Sequence, residues 1–234
     1  MDEERLITID DLVKIYPMGE TEIVALDHVS LSLAAGEFAG IVGPSGSGKT
    51  TLLNIVGTLD TPTSGSVAVL GRRVEALDHR QAAELRNRHV GFIFQTFNLL
   101  PVYTVFENVE FPLLLLGMTD LDRKKAVMDA LEWVGLTDKV KARPATLSGG
   151  ESQRVAVARA MVKRPSIVLA DEPTANLDAE NSHNVIRIME DLNRDLGTTF
   201  LFSTHDEKVV GYLRRKVTLA DGRVASDEIR SAEP

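Results

Sequence analysis

Apolar positions change their spacing several times along this chain, and the changes divide it. In the first forty residues, short alternating or apolar runs at Leu6–Ile9, Glu22–Leu26 and Val29–Leu33 are separated by polar turns, the pattern of an antiparallel sheet. Glu37–Val42 is more uniformly apolar and ends at a glycine-rich turn, as expected of a strand buried on both faces. The period becomes helical from Thr50 to Leu59. Pro62-Thr63-Ser64-Gly65 stops it, and a strand pair is expected around Ser66–Leu70.

Helical spacing with mixed charge then runs from Asp122 to Val134, and a second helix is expected from Gly149 to Val162. After Pro165 the pattern returns to strand (Ile167–Ala170), helix (Ala179–Leu196) and strand (Thr199–Ser203), the alternation of a parallel sheet. The expectation is one α/β domain over 1–234. A core lobe, about 1–95 and 163–234, is interrupted by a helical lobe at about 96–162. No internal repeat, low-complexity tract or long heptad run is visible.

Composition narrows the chemistry. With 44% apolar and 26% charged residues, 234 residues can bury one sizeable core or two unequal lobes. The longest weakly charged stretch, Val109–Met118, holds Glu110 and Pro112 and is about half of the roughly 20 residues that span a bilayer. The acidic Met1-Asp2-Glu3-Glu4-Arg5 resembles no secretory signal, so a cytoplasmic address is expected. The absence of cysteine removes disulfides, thiolate metal sites and thiol nucleophiles. A net charge of −8 argues against a nucleic-acid partner, because such surfaces neutralise many phosphates, but leaves room for one local anion site.

That site is expected at Gly43-Pro44-Ser45-Gly46-Ser47-Gly48-Lys49-Thr50, which satisfies G-x-x-x-x-G-K-[ST] between a predicted strand and a predicted helix. The glycines let consecutive N–H groups turn toward one anion, and the helix adds its positive end. Lys49 can reach the outer phosphates, the Thr50 hydroxyl can ligate Mg²⁺, and Thr51 follows in the same turn. A second anchor is Ile167-Val168-Leu169-Ala170-Asp171-Glu172, an apolar strand with two carboxylates at its C-terminal edge, where parallel sheets bind ligands. Asp171 suits the Mg²⁺ shell. Glu172, expected to point the other way, suits a general base acting on water.

Between the anchors lies Leu147-Ser148-Gly149-Gly150-Glu151. Ser148 and Glu151 have capping-box spacing, and a well-capped helix is the simplest reading. It leaves two glycines unexplained in a first turn, where bare backbone is useful if an anion must approach.

Phosphate loop, LSGG signature, LADEP strand end and the later Ser203-Thr204-His205-Asp206 resemble, in order and over nearly the whole chain, the ATPase domains of ABC transporters. The resemblance implies a P-loop NTPase (RecA-like) core lobe with an antiparallel β subdomain and an inserted α-helical lobe. It also implies ATP and Mg²⁺ as ligands, and a head-to-tail dimer in which one chain's signature completes the other's ATP site. Ser148, Gly149 and Gly150 then face the γ-phosphate in trans. Tyr16 looks like the aromatic that stacks on adenine, Gln95 like the glutamine that senses Mg²⁺ and γ-phosphate, and His205 like the switch histidine. Asp178 resembles the loop that signals between sites. One departure is Glu151, where glutamine is common in the family.

Phe94-Gln95-Thr96-Phe97-Asn98-Leu99-Leu100-Pro101, Thr104–Leu116 and Thr174-Ala175-Asn176-Leu177-Asp178 resemble the branch of macrolide exporters and lipoprotein-releasing ATPases (MacB/LolD-like). That branch implies a membrane permease with a large extracytoplasmic domain as partner, and a peripheral place on the inner face of the membrane. Phe97, Leu99 and Leu100 would either line the groove for the permease's coupling helix or belong to the helical core. Three other readings remain: a soluble ABC ATPase acting on nucleic acid or ribosome, a regulatory ATPase of a cell-wall hydrolase system, and a metabolite kinase, which leaves Leu147–Glu151 unexplained.

Overall fold

The structure, a computed structural model, describes residues 5–19 and 21–230. The acidic residues 1–4, on which the expectation of no leader rests, lie outside them.

Two sheets carry the molecule. A four-stranded antiparallel sheet has the order β2-β1-β4-β5, from β1 (Arg5–Met18), β2 (Thr21–Ala34), β4 (Ser64–Val69) and β5 (Arg72–Arg73). A six-stranded sheet has the order β10-β9-β3-β8-β7-β6. It is built from β3 (Phe38–Val42), β6 (Val90–Phe94), β7 (Ile167–Asp171), β8 (Thr199–Thr204), β9 (Arg215–Ala220) and β10 (Arg223–Ile229). Within it, β9, β3, β8, β7 and β6 are parallel, and β10 returns antiparallel on β9.

Alternation along the parallel strands explains why they read as continuous apolar runs. Phe38, Ile93, Val168, Ala170, Phe200 and Phe202 face one core, whereas Ala39, Ile41, Val90, Ile167, Leu169 and Leu201 face another. The first core is shared with α3 (Val105–Leu114), α4 (Asp120–Trp133), α5 (Gly149–Met161) and α6 (Ala179–Leu196). The second holds α1 (Lys49–Val56) against the antiparallel sheet. A strand buried on both faces needs an apolar residue at every position.

Several elements differ from the sequence reading. The three N-terminal runs fuse into one hairpin of two 14-residue strands. Asp11 and His28 both take positive φ beside a register shift, and His28 Nδ1 lies 2.7 Å from Asp11 Oδ1. These polar breaks are bulges inside continuous strands. The first helix stops at Val56 and not Leu59, because Gly57 caps it. The weakly charged Val109–Met118 lies largely in α3, a helix whose period Pro112 obscures. The buried Asn108 there accepts from Leu100 N–H and donates to the carbonyls of Leu100, Tyr103 and Thr104, fixing the loop before the helix.

Candidate active site

The order β3-β8-β7-β6 sets four C-terminal strand ends side by side. From these ends follow the phosphate loop after Val42, His205 after Thr204, Glu172 after Asp171 and Gln95 after Phe94. The crevice beyond such ends is where open parallel sheets bind ligands. A cavity of about 550 Å³ lies there.

Backbone approach determines the phosphate loop. A Cβ on Gly43 would stand 2.1 Å from the Leu219 carbonyl oxygen, and one on Gly48 2.4 Å from that of Ala25. Gly48 also has φ of +99°, where an L side chain is strained. Glycine is therefore dictated at both. Lys49 is buried, and its Nζ donates to the carbonyls of Gly43 (2.9 Å) and Pro44 (3.0 Å), 3.9 Å from Glu172 Oε1. The buried Ser47 hydroxyl has no partner among the described residues. An orphaned hydroxyl in a glycine-rich loop that leads into a helix N-terminus fits a multiply charged oxyanion.

Across from the loop, the Thr50 hydroxyl donates to both oxygens of Asp171, at 3.1 and 3.0 Å. A hydroxyl and a carboxylate in contact form a hard-oxygen donor set that fits Mg²⁺, which is commonly held by one or two protein oxygens plus substrate phosphate. Among the described residues no cluster of three or more acidic, His or Cys ligands occurs.

Glu172 has φ of +46°, and its N–H donates to the Ser203 carbonyl at 2.8 Å. Glu172 lines the cavity, whereas Asp171 is not among its lining residues and meets it through the Thr50 hydroxyl. Backbone strain of this kind costs about 1–3 kcal/mol and gathers at functional sites. Glu172 Oε1 accepts from His205 Nδ1 at 2.7 Å, which requires the proton on Nδ1 because the carboxylate only accepts.

Of the residues singled out from sequence, Ser45, Gly46, Gly48, Lys49, Thr50, Thr51, Gln95, Glu172 and His205 line this one cavity. Gly43, Pro44 and Ser47 form the loop beneath it. Tyr16 is not one of the cavity's lining residues, although its register partner in β2, Ile23, is. Its hydroxyl donates to Asp60 Oδ2 at 2.6 Å, and Lys14 Nζ lies 4.7 Å over its ring. Burial and the bond to Asp60 push the Tyr16 hydroxyl up from its ordinary pKa. Sequence reasoning missed Ile23, Val24 and Ala25 of β2, which also line the cavity. Ile23 and Val24 are about half exposed, and adjacent exposed β-branched residues were the available signal.

Ser148, Gly149, Gly150 and Asp178 line none of it. They meet at a second place. Ser148 caps α5, with Glu151 N–H donating to Ser148 Oγ (3.1 Å) and Ser148 N–H to Glu151 Oε2 (2.8 Å). Asp178 caps α6 and holds Asn181, whose Oδ1 would lie 2.2 Å from a Cβ on Gly150.

Another cavity, about 290 Å³ and mainly apolar, lies beside β6 and includes Phe92, Leu100, Phe111, Pro112, Arg159 and Lys163. Burial pushes the Lys163 ammonium down to about 8, and its Nζ donates to the Arg86 carbonyl at 2.7 Å. Leu100 lines this groove, whereas Leu99 packs against the core. Among the described residues, no helix is long and apolar enough to cross a membrane.

Residues 26–175 match the family described as ABC transporter. The chain is 44% identical over 224 residues to the macrolide export ATP-binding/permease protein MacB of Burkholderia pseudomallei, covering 96% of this chain and 34% of that one. It thus spans about a third of the length of the MacB relatives. It is 46% identical over 222 residues to the lipoprotein-releasing system ATP-binding protein LolD of Geobacter metallireducens, covering 95% of this chain and 99% of LolD. A dimeric post-hydrolysis structure of the ATP-binding cassette MJ0796, bound to ADP and Pi, superposes with a TM-score of 0.89 at 39% identity. That match covers 97% of this chain and 100% of MJ0796. With the phosphate loop, carboxylates and histidine at adjoining strand ends, the chain belongs to the ABC transporter family, as an ATP-binding ATPase cassette.

Proposed function

We propose that two copies of this chain close head to tail on two ATP molecules and that the closure drives a membrane permease. One observation carries this reading: the cavity gathers the phosphate loop, Gln95, Glu172 and His205, while Ser148, Gly149, Gly150 and Asp178 lie outside it in the same chain. A half-site that lacks its signature residues needs them from a second copy, and closed two-fold pairs are the commonest way to supply them. The dimeric MJ0796 cassette supports the same arrangement.

In this assignment the γ-phosphate lies against the loop N–H groups and Lys49, which turns from the Gly43 and Pro44 carbonyls toward the phosphate oxygens. Tyr16, with Ile23 and Val24, offers the adenine an apolar wall. Thr50 and Asp171, with Gln95 nearby, would hold Mg²⁺, which when bound neutralises phosphate charge. Glu172 accepts a proton from the attacking water. The water oxygen bonds to the γ-phosphorus, the bond from that phosphorus to the β–γ bridging oxygen breaks, and ADP keeps the electron pair. His205, already bonded to Glu172, orients the base. Asp178 couples the two sites through Asn181 and the Gly150 turn.

The groove beside β6, flanked by the exposed Phe111, Leu114 and Leu115, is the proposed seat of the permease's coupling helix. The core lobe (about 1–95 and 163–234) and helical lobe (about 96–162) would rotate against each other as the dimer closes. On this reading the chain works at the cytoplasmic face of the membrane, with a permease bearing a large extracytoplasmic domain. Export, lipoprotein release and mechanical signalling across the membrane are the candidate outputs.

Light scattering of the Glu172→Gln variant tests the core of this. ATP with Mg²⁺ is expected to convert it to dimers, and Lys49→Ala is expected to abolish that. A Glu172→Gln variant that stays monomeric at saturating ATP overturns the reading. Affinity capture from detergent-solubilised membranes with the same variant would then identify the permease and its output.

A further inference from the structure

Glu151 puts a negative charge on the third residue of α5, in the turn whose Gly149 and Gly150 N–H groups no intrahelical carbonyl can reach. As a cap it serves well, because its Oε2 accepts from Ser148 N–H at 2.8 Å. As a neighbour of an arriving phosphate it is unfavourable, since like charges repel over several ångströms in a partly dry interface. A glutamine would cap through its amide oxygen without that cost. The other carboxylate oxygen, Oε1, lies 3.0 Å from Lys139 Nζ. Lys139 ends the short 3-10 turn Thr137–Lys139.

We infer that Lys139 is a positioning residue that neutralises Glu151, so that the signature turn can present its free N–H groups to the γ-phosphate of the partner copy's ATP. The inference rests on the head-to-tail reading above. Two features of the pair support it beyond proximity. Glu151 is engaged through both oxygens, one with the cap and one with the ammonium, so its orientation is fixed. Its carboxyl is held below the usual range by the Ser148 N–H and by Lys139, which favours the charged form. Asp138 and Arg154 also bear on Lys139, with opposite signs, which leaves Glu151 as its main partner.

The test uses Glu172→Gln as parent and reads the ATP concentration at half-maximal dimer by light scattering. Adding Lys139→Met is expected to raise that concentration about fivefold at low salt, with the gap closing near 1 M salt, where the Debye length is about 3 Å. Adding Glu151→Gln to the Lys139→Met variant is expected to restore the parent value, because the amide keeps the cap and the stray charge is gone. An unchanged concentration for Lys139→Met overturns the inference. A loss that Glu151→Gln does not rescue, with a lowered melting temperature, also overturns it and makes the pair a structural tie. If the parent itself never dimerises, the head-to-tail reading fails and takes this inference with it.

Discussion

Gly43 and Gly150 both lie too close to another part of the chain for a Cβ, but they meet different kinds of neighbour. Gly43 faces the Leu219 carbonyl oxygen, backbone fixed inside the six-stranded sheet, whereas Gly150 faces the end of the Asn181 side chain. The same contrast runs through both halves of the site. On the phosphate-loop side, the groups sit on four adjoining strand ends and bond one another: Lys49 to the loop carbonyls, Thr50 to Asp171, His205 to Glu172. On the signature side, the glycines sit on a helix start whose shape is held by polar side chains, the exposed Ser148 and Asp178 and the half-buried Glu151 and Asn181. The first half is tied together by these bonds, with the Ser47 hydroxyl left over for a ligand. The second leaves two helix N–H groups without intrahelical acceptors, a surface made to be completed by something outside the chain.

The largest effect expected from this contrast is chemical. Glu172→Gln removes the base from the phosphate-loop half while leaving loop and signature in place, so ATP hydrolysis should fall roughly a hundredfold or more. ATP binding, read by nucleotide fluorescence, should persist. Turnover that stays near the parent rate would remove Glu172 from its role.

Mixing broken halves asks whether the halves belong to different chains. Lys49→Ala disables one half and Gly150→Trp the other, and each alone should be inactive. Since neither variant pairs with itself on ATP, equal amounts form mixed dimers, each with one wholly intact site. Up to about half of the parent's ATP sites should therefore reappear, counted as nucleotide trapped in dimers. No recovery, with mixed dimers demonstrably formed, would mean that each chain completes its own site.

What could be read in the sequence divides along the same line. The phosphate-loop half was legible because its glycines, lysine and carboxylates sit at fixed spacing beside runs of Val, Ile, Leu and Phe that only a doubly buried strand explains. The fold around it was legible where period and caps agreed: α6 begins and ends where the pattern places it, at Ala179 and Leu196. The misses have local causes. Helix α2 (His79–His89) buries only Leu85, so it has no apolar stripe, and its capping box, Asp78 with Gln81, was its one signal. The β9–β10 hairpin turns on Asp221-Gly222, both at positive φ, a two-residue signal that was present in the sequence and overlooked. No pattern could show that Glu172 turns left-handed, because its φ is imposed by contacts such as its bond to the Ser203 carbonyl. The pairing of Lys139 with Glu151 joins two elements that only the fold brings together.

Stability separates the halves next. Gly43→Ala forces a methyl onto backbone that cannot retreat without parting the strands, and should cost about 3 kcal/mol. Gly46, at φ of +81° with nothing within 4 Å of its Cβ position, should lose only about 1 kcal/mol as alanine, from conformation alone. Urea midpoints for the two variants would measure the difference. A Gly43→Ala variant as stable as Gly46→Ala would show that Leu219 can yield, and the phosphate loop would then be less rigid than its contacts indicate.

The smallest effect is the most discriminating. Gly150→Ala also builds a clash, but the Asn181 side chain can swing away, giving up its bond to Asp178 Oδ2 while Asn181 N–H keeps donating to Asp178 Oδ1. The cost should be about 1 kcal/mol, one hydrogen bond to a charged group, reduced by the better helix propensity of alanine. In an Asn181→Ala background the obstacle and its bond to Asp178 Oδ2 are already gone, so Gly150→Ala should cost nothing further in urea denaturation. That tolerance should not extend to ATP-driven dimerisation if the new methyl covers the N–H groups that face the phosphate. Tolerance in both measurements would mean that Gly150 is glycine only to make room for Asn181, and the signature turn would then be a packing device rather than half of a nucleotide site.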